Sequence, residues 1–514
     1  MRSPRLRKPL ALLAICAAAA ASLSATPSAV AAKKSSCATA AHPGGDWPSL
    51  GQNLSNTRAQ DKEKKLDTTN VANLTPKWMF TAADEGGTGS FQTTPIVAEG
   101  CVYMTTGSGQ IYALNADTGE VVWKGRFAET VSGVCCGSTL FAPTVKDGVL
   151  YQLVSRNSDT AGRGKGPYAI ALNSQTGKEI WKSESVATEP GAYTNASTVL
   201  YDGLIFFGIS GAEGGNQNAG GYAILDAKTG KILMRVHTVP QSQVEDGYGG
   251  GSIWSTAAVD TKTGYAYAGT GQPTNPNREH ERINAILKID LNRGHGTFGE
   301  IVDAYKATPD SKLQSSPACQ SGPPEASTAS CVYTDVDFSA SPTLLKDSRG
   351  NPLVVEYQKS GVLHAAHRDT MQRAWEATLS GIGAPAGNYA STATDGTSVF
   401  GVGTYPGQMF SIGRDFGSYQ WVAPVVTTVG ANPVTYANGV VLTADGKGFL
   451  DAYDSATGVP LLHHSMQSDV GAQCLNTGGG VAIARNTVYA VCGERDVTFG
   501  PSDVATGWVI AYQF

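Results

Sequence analysis

Short runs of β-branched and aromatic residues recur along this chain, separated by polar and glycine-rich breaks, and the three-to-four-residue apolar spacing of an amphipathic helix is nearly absent. The runs repeat as one unit. A turn, often Asp-Gly, opens a strand. A Gly-rich turn leads to a second strand, which ends in an Asx/Thr-Gly turn and often a Trp. The first copy reads Val102-Tyr-Met-Thr-Thr-Gly107, then Ile111-Tyr-Ala-Leu-Asn-Ala-Asp-Thr-Gly119, then Val121-Val-Trp123. The second runs from Val149 through Ala169-Ile-Ala-Leu172 and Thr176-Gly177 to Trp181, and the third from Leu204 through Tyr222-Ala-Ile-Leu-Asp226 and Thr229-Gly230 to Met234. Weaker copies begin near Tyr265, Leu353, Val399, Val440 and Val488; the starts lie about 41 to 61 residues apart, with one gap of 88.

A unit of this length, with four strand candidates, cannot bury both faces of its sheet alone. Stacking units in a closed ring does so and protects the sheet edges. Eight copies therefore predict an all-β protein, an eight-bladed β-propeller with four-stranded antiparallel blades. The long fourth unit holds an insertion near 306–332, rich in Ser, Pro and Gly and bracketed by Cys319 and Cys331. The chain ends on the apolar run Trp508-Val-Ile-Ala-Tyr-Gln-Phe514, and a strand near Lys77-Trp-Met-Phe80 is expected to close the ring with the last blade. The Thr-Gly turns read as structural, with Gly supplying a positive φ, and Trp123 and Trp181 as packing between blades.

The first residues follow another pattern. Arg2, Arg5, Arg7 and Lys8 precede an apolar stretch from Pro9 to about Ala21, and small residues lead to Ala29-Val30-Ala31. This is the pattern of a secretory signal peptide over 1–31, too short in its apolar part to span a bilayer. A linker over 32–45 and the propeller over 46–514 follow. Cys16 follows Ile15 inside the apolar run, a poor lipid-attachment site, so a soluble, secreted or periplasmic mature chain is expected. No later stretch is apolar enough for a transmembrane helix. Cleavage takes Lys plus Arg from 38 to 34 against 43 acidic residues. That balance argues against a nucleic-acid partner, which needs a basic face.

Eight cysteines remain after processing, an even number that suggests disulfides in an exported chain. Cys319 with Cys331 and Cys474 with Cys492 are the closest non-adjacent pairs, which leaves Cys37 with Cys101. Cys135 and Cys136 are adjacent. No C-x-x-C-H occurs, so the chain carries no c-type haem of its own. Roughly 480 residues would by length alone suggest two or three domains; the repeats point to one ring.

Four segments concentrate residues with chemistry. They are Gly133-Val-Cys135-Cys136-Gly137; Ser210-Gly211-Ala212-Glu213, after an apolar strand; Gly249-Gly-Gly-Ser-Ile-Trp254 with Gly269-Thr-Gly271-Gln272-Pro273; and Asp335-Val-Asp337-Phe338-Ser339-Ala340, with Gln358-Lys359-Ser-Gly361 downstream. Singly, each has an ordinary reading: a loop Glu, a core Trp, two cysteines pairing elsewhere. Together, and with the Ala-Leu-x-Ala-x-Thr-Gly-x-x-x-Trp blade repeat, they resemble over residues 46–514 the quinoprotein alcohol dehydrogenases. That family uses pyrroloquinoline quinone (PQQ) and a bound metal to oxidise alcohols. The opening Asp46-Trp-Pro-Ser-Leu-Gly-Gln-Asn-Leu-Ser-Asn-Thr-Arg58 and the Gln-Lys-Ser-Gly segment look closest to its polyvinyl-alcohol-dehydrogenase branch, which oxidises secondary and polymeric alcohols to ketones.

The resemblance implies roles. Cys135 and Cys136 would form a vicinal disulfide against one face of the quinone, and Trp254 would stack on the other. Glu213, Gln272 and Asp337 would hold the metal; the family more often has Asn at the place of Gln272. Carboxylate and amide oxygens suit a hard cation such as Ca²⁺. Ser339 stands where lanthanide-using relatives carry an extra Asp, which favours Ca²⁺. Gln92, Thr194, Ser210 and Asn388 would be polar contacts to the cofactor, and the Lys359 cation would touch its reactive oxygens. Asp337 would be the base that takes the alcohol's proton as hydride passes to the quinone. Phe141 departs from the Arg that many methanol-type enzymes place five residues after the Cys pair. Electrons would leave to a separate acceptor.

The alternative from another class is a non-enzymatic propeller that keeps the blade repeat as a scaffold for binding protein or polysaccharide. Such a chain should lose the Glu, the amide ligand, the base and the Cys pair together; this one keeps all four. A hydrolase would need a Ser-His-Asp pattern, which is absent, and His463-His464 reads as surface.

Overall fold

The computed structural model describes residues 35–39, 42–89, 91, 93–127, 141–155, 166–189, 191–211, 220–274, 280–307, 336–379, 390–403, 407–425, 433–475, 478–493 and 506–514. The signal peptide expected at 1–31 and nearly all of the insertion near 306–332 lie outside them. The unit Ser35–Phe514 contains, among its described residues, thirty-two strands in eight four-stranded antiparallel sheets. It is the eight-bladed β-propeller that the repeats predict.

Each blade begins with a short inner strand and runs outward. Blade 1 is Ile96–Ala98, Cys101–Thr105, Gln110–Asn115 and Val121–Arg126; blade 3 is Val199–Tyr201, Leu204–Ile209, Gly221–Asp226 and Ile232–His237; blade 4 is Ala258–Val259, Tyr265–Gly269, Ala285–Asp290 and Ile301–Lys306; blade 5 is Thr343–Lys346, Pro352–Tyr357, Val362–His367 and Arg373–Thr378. All eight repeat starts fall on a blade's second strand, such as Val149–Val154 and Leu204–Ile209. The last blade is composite. Ala482–Ala484, Thr487–Gly493 and Gly507–Gln513 are joined by Thr75–Thr81 as the outermost strand, with Met79 opposite Ile510 and Phe80 opposite Val509. The N-terminal strand thus closes the ring.

One device joins neighbouring blades. Trp123 Nε1 donates to Ser174 O at 2.6 Å, and its ring lies over Gly177, where a Cβ would come within 2.6 Å of it. Trp78, Trp181, Trp375 and Trp421 repeat this with the carbonyls of Ala116, Ala227, Arg414 and Ser455. Each glycine beneath has a positive φ, such as Gly177 at 68°. The turn therefore needs Gly both for its backbone and for the indole above it. Where Met234 replaces Trp, it packs on Gly299.

The axis of the ring is filled by the chain itself. Trp47, Pro48, Leu54, Ser55, Thr57 and Arg58 accept backbone hydrogen bonds from Val97, Val145, Val259, Leu344, Thr394 and Tyr436, on the inner strands of six blades. Gln60 Nε2 reaches Ile483 O of the last blade at 2.9 Å. Arg58 is fully buried within this plug. Its guanidinium donates to Val434 O, Leu50 O, Val481 O, Thr94 Oγ1 and Thr435 Oγ1, and burial pushes its pKa down to about 9.

Two expected disulfides are formed, Cys37–Cys101 and Cys474–Cys492. Cys135, Cys136, Cys319 and Cys331 lie outside the described residues. So does any leader, and among the described residues no helix is long and apolar enough to cross a membrane.

Candidate functional site

The candidate residues that are described gather where segments enter the inner strands of blades 3, 4 and 5. Asp337 lies ahead of Thr343–Lys346, and Lys359 follows the second strand Pro352–Tyr357 of the same blade. An antiparallel bridge between Phe338 and Gln358 holds them side by side. Lys359 N also donates to Asp337 O at 3.0 Å. The side chains then meet: Lys359 Nζ donates to Asp337 Oδ2 at 3.0 Å, with the two side chains only 7% and 1% exposed. A buried carboxylate and a buried ammonium each compensate a charge that would be costly alone.

Blade 4 supplies the opposing wall. Gln272 N donates to Asp337 Oδ1 at 2.7 Å. Gly271 lies against that carboxylate, where a Cβ would stand at ordinary contact distance, 3.4 Å from Oδ1. The segment carrying Trp254 is tied to the Gln272 loop by Gly271 N to Ser252 O at 2.9 Å and by a Gly250–Pro273 bridge. Gly250 has φ 106°, and its Cβ would fall 2.2 Å from Gln272 O, so the crossing requires glycine. The Trp254 ring faces the ammonium, with Lys359 Nζ 4.9 Å from its centroid, within cation–π reach.

Blade 3 completes the described part. Ser210 is buried and its Oγ donates to Ile253 O at 3.3 Å, next to Trp254. Thr194 is buried and its hydroxyl donates to Gly208 O at 2.8 Å. Ser339 is buried, and its Oγ has no hydrogen-bond partner among the described residues. Phe141 uses its carbonyl to accept Gln152 Nε2 at 3.0 Å and brings no charge. Gln92, Cys135, Cys136, Glu213 and Asn388 lie outside the described residues. The structure thus brings together Asp337, Lys359, Trp254, the Gln272 backbone and Ser210; Thr194 sits on the adjoining backbone of blade 3. Among the described residues no three His, Cys, Asp or Glu side chains converge as a metal site; Asp337 is the carboxylate present.

Behind the site stands a polar group of which the motifs mark only Gln358. Glu356, Gln358 and His364 share the face of blade 5 turned to blade 4. Glu356 is fully buried, neither oxygen has a hydrogen-bond partner among the described residues, and burial holds its pKa well above the usual 4.5. His364 is buried and held below its ordinary value by desolvation. Its hydrogen bond pulls Glu376, on the outer strand, down to about 2. The one other sequence signal was a histidine at a buried position in the strand Val362–His367.

The fold and this site define a class: a closed eight-bladed ring with a buried carboxylate–ammonium pair against an aromatic face. Comparison with known proteins narrows it. A family model described as outer membrane protein assembly factor BamB matches residues 64–294. A polyvinylalcohol dehydrogenase of Pseudomonas sp is 27% identical over 342 residues, 63% of this chain and 49% of the relative. That of Sphingopyxis sp. (strain 113P3) is 27% identical over 395 residues, 72% of this chain and 56% of the relative. The chain thus spans about half the length of these curated relatives. The crystal structure of quinohemoprotein alcohol dehydrogenase from Comamonas testosteroni superposes with a TM-score of 0.69 at 17% identity, covering 92% of this chain and 81% of that one, which shows the shared fold. The resemblance read from the motifs, to quinoprotein alcohol dehydrogenases and among them the polyvinyl-alcohol branch, is borne out by these relatives.

Proposed function

We propose that the chain is a secreted PQQ- and Ca²⁺-dependent alcohol dehydrogenase that oxidises secondary or polymeric alcohols to carbonyls. The observation that carries this reading is the buried Asp337–Lys359 pair with its ammonium over Trp254. A ring that only scaffolds other molecules gains little from burying such a pair, which is weak evidence for stability and strong use of charge.

The donor set suits the cofactor. Trp254 offers a flat aromatic face and Lys359 a cation for an anionic planar ring, with Cys135 and Cys136 expected on the opposite face. Gln92, Ser210 and Asn388 would supply polar contacts. Thr194 donates its proton to Gly208 O, so contact with a cofactor carboxylate would require the hydroxyl to turn away from that carbonyl. Asp337, the Gln272 side-chain carbonyl and Glu213 would hold Ca²⁺. When bound, the quinone supplies the two-electron acceptor. The protein's own part is acid–base work and positioning. The Gln272 amide fixes Asp337 Oδ1, and Oδ2, which already accepts from Lys359 Nζ, would use its other lone pair to take the alcohol's hydroxyl proton. Lys359 stabilises negative charge that builds beside it. Trp254 sets the plane against which the substrate carbon is presented. Electrons pass to a separate carrier, since the chain has no haem-attachment motif. The leader-like N-terminus and the two disulfides support export.

The test is reconstitution of the purified protein with PQQ and Ca²⁺, followed by quinone absorption and by dye reduction with 2-propanol, ethanol and polyvinyl alcohol. Stoichiometric binding with alcohol-dependent reduction is expected. Asp337→Asn should abolish turnover while leaving quinone binding largely intact; Glu213→Ala should weaken metal and cofactor binding. Failure to bind the quinone with either Ca²⁺ or a lanthanide would leave the scaffold reading, which the description of the matched family model favours.

A further inference from the structure

We propose that His364, on the third strand of blade 5, is a positioning residue that aims Lys359 at Asp337 from the far side of the sheet. The importance of that aim rests on the function proposed above. The contacts themselves do not.

A lysine reaches its target through four rotatable bonds, so its aim depends on where its backbone is held. Lys359 sits in a tight turn closed by Gly361 N to Gln358 O at 2.9 Å. The turn leans on the opposite segment through the Phe338–Gln358 bridge. His364 touches both sides of that bridge. Its ring stands edge-on to Phe338, centroids 5.2 Å apart, and Phe338 is the residue after Asp337. Its Nε2 lies 3.3 Å from Gln358 Oε1, and Gln358 is the residue before Lys359. The same Oε1 accepts Ser360 Oγ at 2.5 Å, on the other side of Lys359. One buried imidazole therefore braces the residues that flank the ion pair.

His364 is itself held from the rim. Tyr305 OH, on the outer strand of blade 4, lies 3.1 Å from Nδ1 and 3.3 Å from Glu376 Oε1. Glu376 Oε1 is 3.5 Å from Nδ1 and 3.2 Å from Arg373. The strand register aligns Glu356, His364 and Glu376 across three strands, so the row runs radially from near the site to the rim. The neutral ring can donate either from Nε2 to Gln358 Oε1, which only accepts, or from Nδ1 to Glu376 Oε1, and the charged ring donates to both. The groups facing the ring are then Tyr305, Glu376, Arg373 beyond it, and the neutral Glu356. Phenylalanine would keep the packing and lose the Nε2–H; glutamine would lose the ring and keep a donor in reach of Gln358.

The test reads Lys359 directly in the full chain without quinone. The protein is treated with an amine-acylating reagent, and labelling at Lys359 is followed by peptide mass spectrometry, with the exposed Lys447 as internal control. Wild type should label slowly at Lys359. His364→Phe should label roughly tenfold faster, as a local opening becomes accessible, with Lys447 unchanged, and His364→Gln should return toward wild type. Gln358→Met, a near-isosteric change on the strand, should match His364→Phe if the histidine variant does not fold. In the quinone-loaded enzyme, His364→Phe should lower kcat by roughly ten- to a hundredfold, the range for a misplaced reacting group, with KM for the alcohol little changed. Wild-type labelling rates at Lys359 in both His364→Phe and Gln358→Met would overturn the proposal. Failure to bind quinone in wild type would instead strike the functional reading and leave the labelling result standing.

Discussion

Glu356 offers a sharp test of how the interior of blade 5 handles charge. Its carboxyl occupies a slot that exists because residue 269 is glycine: a Cβ there would lie 2.0 Å from Glu356 Oε1 and 2.5 Å from Phe338 O. Among the described residues no donor reaches either oxygen. An ionised carboxylate in that slot would lose its hydration and gain nothing, so burial keeps it protonated well above pH 4.5. The folded protein then binds a proton that the unfolded chain releases. Stability must fall as pH rises from the unfolded pKa near 4.5 toward the folded pKa, by about 1.4 kcal/mol for each pH unit in that window. It must be flat below the window, where both states are protonated. Glu356→Gln keeps the shape and removes the titration. The unfolding free energy of the variant relative to wild type should therefore climb with that slope above about pH 4.5 and stay constant below it. Guanidinium unfolding followed by tryptophan fluorescence, run on both proteins across this range, measures the difference. A pH-independent difference, or one that shrinks as pH rises, would mean that Glu356 is ionised in the fold and that the burial argument is wrong.

Other substitutions probe the ring. Arg58→Ala removes a buried cation that bonds three carbonyls and two hydroxyls of the plug and of neighbouring inner strands, and should cost on the order of 3–5 kcal/mol in the same unfolding assay. Gly177→Ala puts a methyl 2.6 Å from the Trp123 ring at a φ of 68°; a loss of about 1–3 kcal/mol is expected, and an unchanged melting temperature would disprove the docking role given to that turn. The disulfides close loops of 64 and 18 residues, so Cys37→Ser should cost about 4 kcal/mol and Cys474→Ser about 3 on loop-closure entropy. The reverse order would show that folded-state packing, not loop length, dominates.

The ring was legible in the sequence because its signals are local. The strand–turn–strand of Ile111 to Trp123 needs only neighbouring residues to declare itself, and the Thr-Gly turn is imposed by one backbone angle and one indole. The inner strands were not seen. Pieces such as Ala258–Val259 and Ala393–Thr394 are two residues long and buried on both faces, so no alternation marks them. The plug was equally silent: Trp47 to Gln60 has no strand pattern, because its partners are on seven different blades. At the site, the motifs led to Asp337, Lys359 and Trp254, whose spacing is set by short loops. Nothing local signals that Glu356, His364 and Glu376 align, since that row is a register across three strands and 20 residues, visible only once the pairing is known.

The two ends of the ring's axis explain each other. Catalysis by positioning tolerates little slack between groups, yet Trp254 and Asp337 come from the entry segments of two different blades, Gln272 follows the second strand of the first of these, and Ser210 is on a third. Their separation is only as fixed as the angle between blades. At the outside of the ring, Met234 packs on Gly299 between blades 3 and 4, while Arg368 bonds Asp260 and Tyr305 OH bonds Glu376 between blades 4 and 5. The plug fixes the angle at the inside. Ser55 O and Leu54 O accept from Leu344 and Val259, the inner strands that continue directly from the Asp337 and Trp254 segments. Asn56 Nδ2 bonds Thr256 O, two residues from Trp254, while Asn56 O accepts Thr343 Oγ1, six residues from Asp337. One residue of the plug therefore spans the two segments that carry the site. Loosening residues 54–56 should disturb the Asp337–Gln272 contact before it unfolds the ring, because the blades remain stapled at the rim while the axis, where the chemistry is assembled, does not.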